Sequence, residues 1–246
     1  MLRPPQYLGC VKQIIQRILK PFGLELRRTR FDPDLMAFIR ERAIDTVLDV
    51  GANIGQFGTQ LRAKGYRGRI VSFEPISEVY KTLAAKATSD RDWTTNNYAL
   101  GAKSEQATIH VSDMSVFSSI LPSTSAATRF DDAAAVARTE TIEVRTLDDA
   151  CRGVSGNVLL KIDTQGFERQ VLQGGRSMLS IMKGILMELP IVHLYEGTWR
   201  LHEAIEFMAD AGFVPAQIHR VNFHSTDPVS LLEVDCLFRP RDPRLD

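Results

Sequence analysis

The 246-residue chain contains three cysteines, Cys10, Cys151 and Cys236, an odd number set far apart. They form no CxxC pair and no zinc-ligand spacing, which excludes a disulfide scaffold or zinc ribbon and fits a reducing compartment. No apolar run approaches the roughly 18–20 residues of a membrane span. The N-terminus lacks the unbroken apolar stretch of a signal peptide, because Lys12, Gln13, Gln16 and Arg17 interrupt it. The expectation is a cytoplasmic protein. Net charge is also missing: 30 basic and 30 acidic side chains cancel. That balance excludes a uniformly basic nucleic-acid coat and an acidic disordered chain. What is present is enough apolar sequence, 44%, for a folded core.

The charge is unevenly divided. Residues 1–30 carry Arg3, Lys12, Arg17, Lys20, Arg27, Arg28 and Arg30 against Glu25 alone, so the remaining 216 residues are net acidic. In the same segment Leu8, Val11, Ile14, Ile15, Ile18 and Leu19 recur at helical spacing until Pro21. Three readings remain open: a helix docked on the domain, a homodimer contact, or a basic amphipathic helix lying peripherally on an anionic membrane. A second helix is expected from about Pro33 to Arg42, capped by Asp32. Residues 1–42 thus form an N-terminal helical extension and 43–246 the main domain.

From Thr46 the pattern alternates. Strands are expected at 46–50, 69–73, 94–100, 157–163 and 184–189, with helices at 56–64, 77–87, 166–179 and 197–211. Segments 107–112 and 140–145 read as antiparallel strands, and 213–218 with 231–238 as a closing hairpin. The fold class is therefore α/β: a doubly wound, Rossmann-like sheet with an antiparallel C-terminal hairpin. Residues 113–139, rich in Ser, Thr and Ala, are the one long irregular stretch and a candidate lid, with Phe117, Ser118 and Ser119 near the site.

In such a sheet ligands bind beyond the carboxyl ends of the strands. The first strand runs into Asp49-Val50-Gly51-Ala52-Asn53-Ile54-Gly55-Gln56-Phe57. A dinucleotide fingerprint would need glycine where Asn53 and Gln56 stand, which weakens a nicotinamide oxidoreductase, and the lysine of a P-loop is absent. The loop suits a nucleotide without a pyrophosphate. Glu74-Pro75 ends the second strand, 19 residues after Gly55, where an acid can accept both ribose hydroxyls of an adenosyl group.

The segments VLDVGANIGQF, SFEP, NYALG, VRTLDD and LLKIDTQGFERQVLQGG, in that order from Thr46 to about Glu188, resemble the FkbM-type family of S-adenosylmethionine-dependent O-methyltransferases. K-I-D-x-Q-G-F-E is the most family-specific piece. The resemblance implies a class I methyltransferase sheet of seven strands. It implies S-adenosylmethionine held by Asp49, Gly51, Asn53, Gly55, Phe57, Glu74, Pro75, Ala99, Leu100 and Asp163. It also implies an acceptor hydroxyl on a sugar, glycan, glycolipid or macrolide-type natural product.

The residues independently offer chemistry for such a transfer. Near-attack positioning and a site for the hydroxyl proton are the two requirements. Asp163, Glu188 and His193 are the catalytic candidates, with Tyr195 beside them and His219 and His224 weaker. Glu188 could equally be a buried acid paired with Lys161. Asp163 and Glu188 could also ligate a divalent cation such as Mg²⁺, although their spacing is no metal signature. Nothing resembles the N/D-P-P-Y/F segment of nucleic-acid amino-methyltransferases, and basic residues beyond position 30 do not cluster with aromatics, so no nucleic-acid partner is expected. Two other readings stand: a non-catalytic adenosyl-binding module anchored by its N-terminal helix, and a methyltransferase of a non-carbohydrate product.

Overall fold

A computed structural model describes residues 33–130, 134–223, 227 and 229–245. Residues 36–246 form one compact unit. The basic amphipathic segment, Asp32, Cys10 and His224 lie outside the described residues.

Helix α1 (Pro33–Glu41) precedes β1 (Thr46–Val50), α2 (Gln56–Ala63), β2 (Arg69–Phe73), α3 (Ser77–Ala87) and β3 (Trp93–Asn96). Next come β4 (Ala99–Gly101), β5 (Glu105–Ser112), α4 (Ser125–Phe130), β6 (Val136–Thr146), α5 (Leu147–Ala150) and β7 (Val158–Ile162). The chain closes with α6 (Glu168–Gln173), β8 (Met182–Pro190), α7 (Leu201–Asp210), β9 (Phe213–Phe223) and β10 (Leu231–Pro240). Seven strands form the main sheet in the order β3-β2-β1-β7-β8-β10-β9. The pairs from β3 to β8 are parallel; β10 runs antiparallel to both β8 and β9. The doubly wound sheet and its antiparallel hairpin are therefore present as the sequence implied.

Strands β1 and β7 are buried along their whole lengths, with Val47, Leu48, Leu159 and Leu160 at 0% exposure. Apart from Asp49 and Lys161 both are built almost wholly of Val, Leu and Ile, as parallel strands covered on both faces are. Cys151 and Cys236 are free and buried, and burial pushes both thiols up to about 12, so neither is a thiolate near neutrality.

Three expectations are corrected. Segment 94–100 is two strands, not one: β3 stays in the main sheet, while β4 joins β5 and β6 in a separate three-stranded sheet. The side chain of Asn97 makes the turn between them, its Nδ2 donating to the carbonyls of Glu74 (2.9 Å) and Pro75 (3.0 Å). The expected helix over 166–179 is confined to Glu168–Gln173 and ends at Gly174, which packs on the backbone of Gly101. A Cβ there would lie 2.0 Å from the Gly101 carbonyl oxygen. Only a short 3₁₀ turn, Met178–Ile181, follows. The helix expected from Gly197 begins at Leu201, where the Glu203 carboxylate takes the Arg200 backbone N–H at 2.7 Å.

Candidate active site

β1 lies between β2 and β7, so the chain reverses its direction of build across the sheet at the β1–β7 boundary. Gly51 and Asp163 stand at the carboxyl ends of these two strands, at the topological switch point. The loops touch closely. Gly51 has φ +73°, and a Cβ on it would sit 1.9 Å from the Asp163 carbonyl oxygen, so only glycine fits. The N–H groups of Gly51 and Ala52 both donate to the Phe73 carbonyl, at 3.1 and 3.0 Å, which ties the glycine loop to the end of β2.

Asn53, at φ +48°, presents its backbone N–H to Glu74 Oε2 at 2.9 Å, and the Ile76 N–H reaches Glu74 Oε1 at the same distance. Glu74 is 4% exposed. Burial pushes its carboxyl up to about 7, although the two amides pull the other way. The Asn53 side chain closes the turn through Oδ1, which accepts from the Ile54 N–H at 2.8 Å. Gly55, also left-handed, starts α2. Pro75 is half-buried, and Phe57 lies with its ring 5.8 Å from Lys161 Nζ. Ala99 and Leu100 are buried in separate apolar clusters.

Beneath the loop lies a buried polar chain. Lys161 Nζ donates to the Gly51 carbonyl at 2.9 Å and stands 3.2 Å from Asp49 Oδ1 and 3.6 Å from Asp163 Oδ2. Asp49 is fully buried; its Oδ2 accepts from Ser72 Oγ (3.2 Å), which accepts in turn from Trp93 Nε1 (3.0 Å). Burial alone would lower the lysine pKa, but the carboxylates of Asp49 and Asp163 outweigh it and raise it, so Lys161 stays charged. Asp49 therefore supports the loop from below, and Lys161 bonds to the loop rather than pairing solely with Glu188.

On the other side of the cleft the polar groups converge from distant parts of the chain. Gln165, another left-handed non-glycine residue at φ +54°, donates from Nε2 to Asp163 Oδ1 (2.8 Å) and to Glu188 Oε1 (3.2 Å). Its Oε1 lies 2.9 Å from the Tyr195 hydroxyl, which is also 3.1 Å from the Phe117 carbonyl. Burial raises the Tyr195 pKa, so the phenol keeps its proton and donates. The irregular segment expected as a lid runs over these residues. Its 3₁₀ turn, Ser115–Phe117, places Ser115 Oγ 2.9 Å from Asn53 Nδ2, and Ser119 Oγ donates to the Gln165 carbonyl at 2.7 Å. Ser118 is engaged within the strap, its Oγ accepting from the Ser112 N–H at 3.1 Å.

The structure thus gathers Asp163 and Glu188 into one cluster. His193 enters the contact set through its backbone carbonyl, which accepts from Thr124 Oγ1 at 3.0 Å. His219 lies on β9, its Nε2 3.4 Å from Gln217 Oε1. Among the described residues no three His, Cys, Asp or Glu side chains are grouped to hold a metal ion. Between the two candidate ligands, Asp163 and Glu188, stands the Gln165 amide, a donor in the place a cation would take. Sequence reasoning missed Gln165 and the strap residue Ser115. The Q-G pair of K-I-D-x-Q-G-F-E is the one signal that pointed to Gln165: a glycine following a polar residue admits two successive positive φ values.

A doubly wound sheet with a glycine loop, an acid ending β2 and a second acid across the switch point defines a Rossmann-like methyltransferase domain. The profile of the Methyltransferase FkbM domain matches residues 49–215, about two thirds of the chain. The chain belongs to the FkbM methyltransferase family, within the S-adenosylmethionine-dependent class. No curated protein matches it in sequence.

Solved structures match at low identity and with TM-scores below 0.5. TehB from Haemophilus influenzae is 12% identical over 87% of this chain and 64% of that one, with a TM-score of 0.49. Fibrillarin from Aeropyrum pernix, solved with natively bound S-adenosyl-L-methionine, is 12% identical over 83% and 74%, with a TM-score of 0.46. A TehB-like S-adenosylmethionine-dependent methyltransferase from Corynebacterium glutamicum is 10% identical over 97% and 100%, with a TM-score of 0.44. Against LepI the chain spans about half the length of the structure it matches. The family assignment rests on the sequence match.

Proposed function

We propose that the protein transfers the methyl group of S-adenosylmethionine to a hydroxyl of a sugar, glycan or glycolipid. The observation that carries this reading is the pair of carboxylates at the carboxyl ends of the two strands that flank β1, Glu74 after β2 and Asp163 after β7. The residues fit the cofactor. Glu74 spends one lone pair of each oxygen on a backbone amide, which leaves further lone pairs to accept two ribose hydroxyls. Gly51, Asn53 and Gly55 bring backbone close to the same place, and the whole loop is braced by Lys161.

When bound, the cofactor supplies an electrophilic methyl on a positively charged sulfur. Asp163 would hold the acceptor hydroxyl by accepting its hydrogen bond and would take its proton when the methyl group is transferred, S-adenosylhomocysteine being the leaving group. Gln165 fixes the Asp163 carboxylate through Oδ1 and leaves Oδ2 toward Lys161. The strap from Ser115 to Ser119 covers the cleft and restricts water. Glu188 positions Gln165 from the far side.

The test combines binding and turnover. S-adenosylhomocysteine should raise the melting temperature while NAD does not. Radiolabelled methyl from S-adenosylmethionine should appear as an alkali-stable ether on a hydroxyl of a carbohydrate or glycolipid panel. Binding without transfer to any panel member would instead favour a non-catalytic adenosyl-binding module.

A further inference from the structure

Beyond Gln165 the cleft continues into a small pocket lined by Gln165, Glu168, Glu188, Tyr195, Thr198 and Glu233. Two of these groups are buried and unsatisfied. Glu168 is 1% exposed, and its Oε1 accepts three hydrogen bonds, from Thr164 N (3.0 Å), Thr164 Oγ1 (3.0 Å) and Gly166 N (3.1 Å). Its Oε2 has no partner, and neither does Thr198 Oγ1. A buried polar atom left unpaired costs about 1–3 kcal/mol, so such atoms are almost always paired in a working protein. Two of them on one pocket wall call for a hydrogen-bonding group in the pocket, a water or an atom of a ligand.

The chemistry of that group can be read from the wall. It must donate to Glu168 Oε2 and meet the Thr198 hydroxyl. The lining contributes three carboxylates and no Lys, Arg or His side chain. Burial pushes the Glu168 carboxyl above its ordinary range despite its three hydrogen bonds; a neutral hydroxyl does nothing to reverse that, whereas a cation holds the carboxylate ionised and able to accept. The free volume, about 10 Å³, is the room of one water-sized group. That admits an ammonium and excludes a guanidinium or a trimethylammonium. We propose that this pocket is a subsite for a protonated primary amine on the acceptor, so that the methylated molecule is an amine-bearing carbohydrate or glycolipid. The proposal rests on the reading that the adjoining Asp163 cleft receives the acceptor.

The test uses the full chain loaded with S-adenosylhomocysteine, with binding read by ligand-observed NMR at constant ionic strength. The probes are methylammonium, methanol (a hydroxyl without charge) and tetramethylammonium (charge without N–H). Methylammonium should bind at least about tenfold more tightly than either control. Glu168→Gln keeps an oxygen for the three loop hydrogen bonds and turns the orphan acceptor into a donor, and should abolish the preference. Thr198→Val, nearly isosteric, should reduce it severalfold and decides the matter if the first variant does not fold. Equal binding of the three probes, no binding, or a preference unchanged in both variants overturns the proposal. Failure of S-adenosylhomocysteine to bind, with the amine preference intact, would remove the methyl-transfer reading and leave the subsite standing.

Discussion

The two sides of the cleft are built by different means. On the Gly51–Glu74 side the polar atoms are backbone amides, the Glu74 carboxylate and the Asn53 side chain, all within 26 residues of sequence. On the Asp163 side they are side chains contributed by β7, β8, the loop after β8 and a strap 46 residues upstream of Gln165. That side also retains the unpaired atoms of Glu168 and Thr198. A ligand shared by many enzymes can be met by backbone, which does not vary with sequence. On the proposed reading, an acceptor particular to one enzyme is met by side chains, and the unpaired atoms are the ones it completes.

Lys161 joins the two sides, and removing it should have the largest effect. In Lys161→Met the fully buried Asp49 loses its countercharge and the Gly51 carbonyl its donor, so the fold should lose about 3–5 kcal/mol in urea denaturation. A loss below about 1 kcal/mol would mean that the two sides are braced independently. Asp163→Asn comes next and should separate them. It keeps the shape of the side chain and removes the proton acceptor, so turnover should fall about 10²-fold or more while the dissociation constant for S-adenosylhomocysteine changes less than about threefold. An equal loss in both would place Asp163 on the cofactor side.

This asymmetry also governs what could be read from the sequence. Gly51, Asn53, Gly55 and Glu74 were legible because strand order alone carries them to one place, and their spacing is set by one βαβ unit. Asp163 and Glu188 were legible as strand-end acids. The bridge between them was not, because Gln165 acts through a left-handed backbone that no propensity signals. Ser115 lies 62 residues from Asn53 in a stretch without periodicity, so nothing local announced the contact. The overlong helix at 166–179 failed for a related reason. Gly174 is dictated by close approach to Gly101, a tertiary constraint on an otherwise helical pattern.

The cofactor side makes a pH prediction. The Glu74 carboxyl titrates near 7 in the fold against an ordinary value of 4.5. Between these values the folded state holds the proton more tightly than the unfolded chain. Its contribution to stability is therefore fully present below about 4.5 and is lost as pH rises through about 7. Ribose hydroxyls donate to the ionised form, so cofactor affinity should move the opposite way and strengthen from pH 6 to pH 8. Calorimetric titration with S-adenosylhomocysteine across that range should show the trend in the wild type and a flat profile in Glu74→Gln. A pH dependence that survives the substitution would assign the proton to another group.

The smallest expected effect tests the Ser115–Asn53 contact by which the strap reaches across to the glycine loop, where Ser115 Oγ accepts from Asn53 Nδ2 and donates to Asn53 Oδ1 at 3.3 Å. Ser115→Ala removes the acceptor 2.9 Å from Asn53 Nδ2 in a half-buried setting, where a hydrogen bond contributes about 0.5–1.5 kcal/mol. Other ties hold the strap to the Asp163 side, through Ser119 and Tyr195, so the substitution should detach it from the cofactor side alone. Global stability should then fall by less than about 1.5 kcal/mol. If cofactor departs beneath the strap, stopped-flow dissociation of S-adenosylhomocysteine should quicken about two- to tenfold, with association little changed. An unchanged dissociation rate would mean that the strap belongs wholly to the acceptor side and that the glycine loop holds its ligand without it.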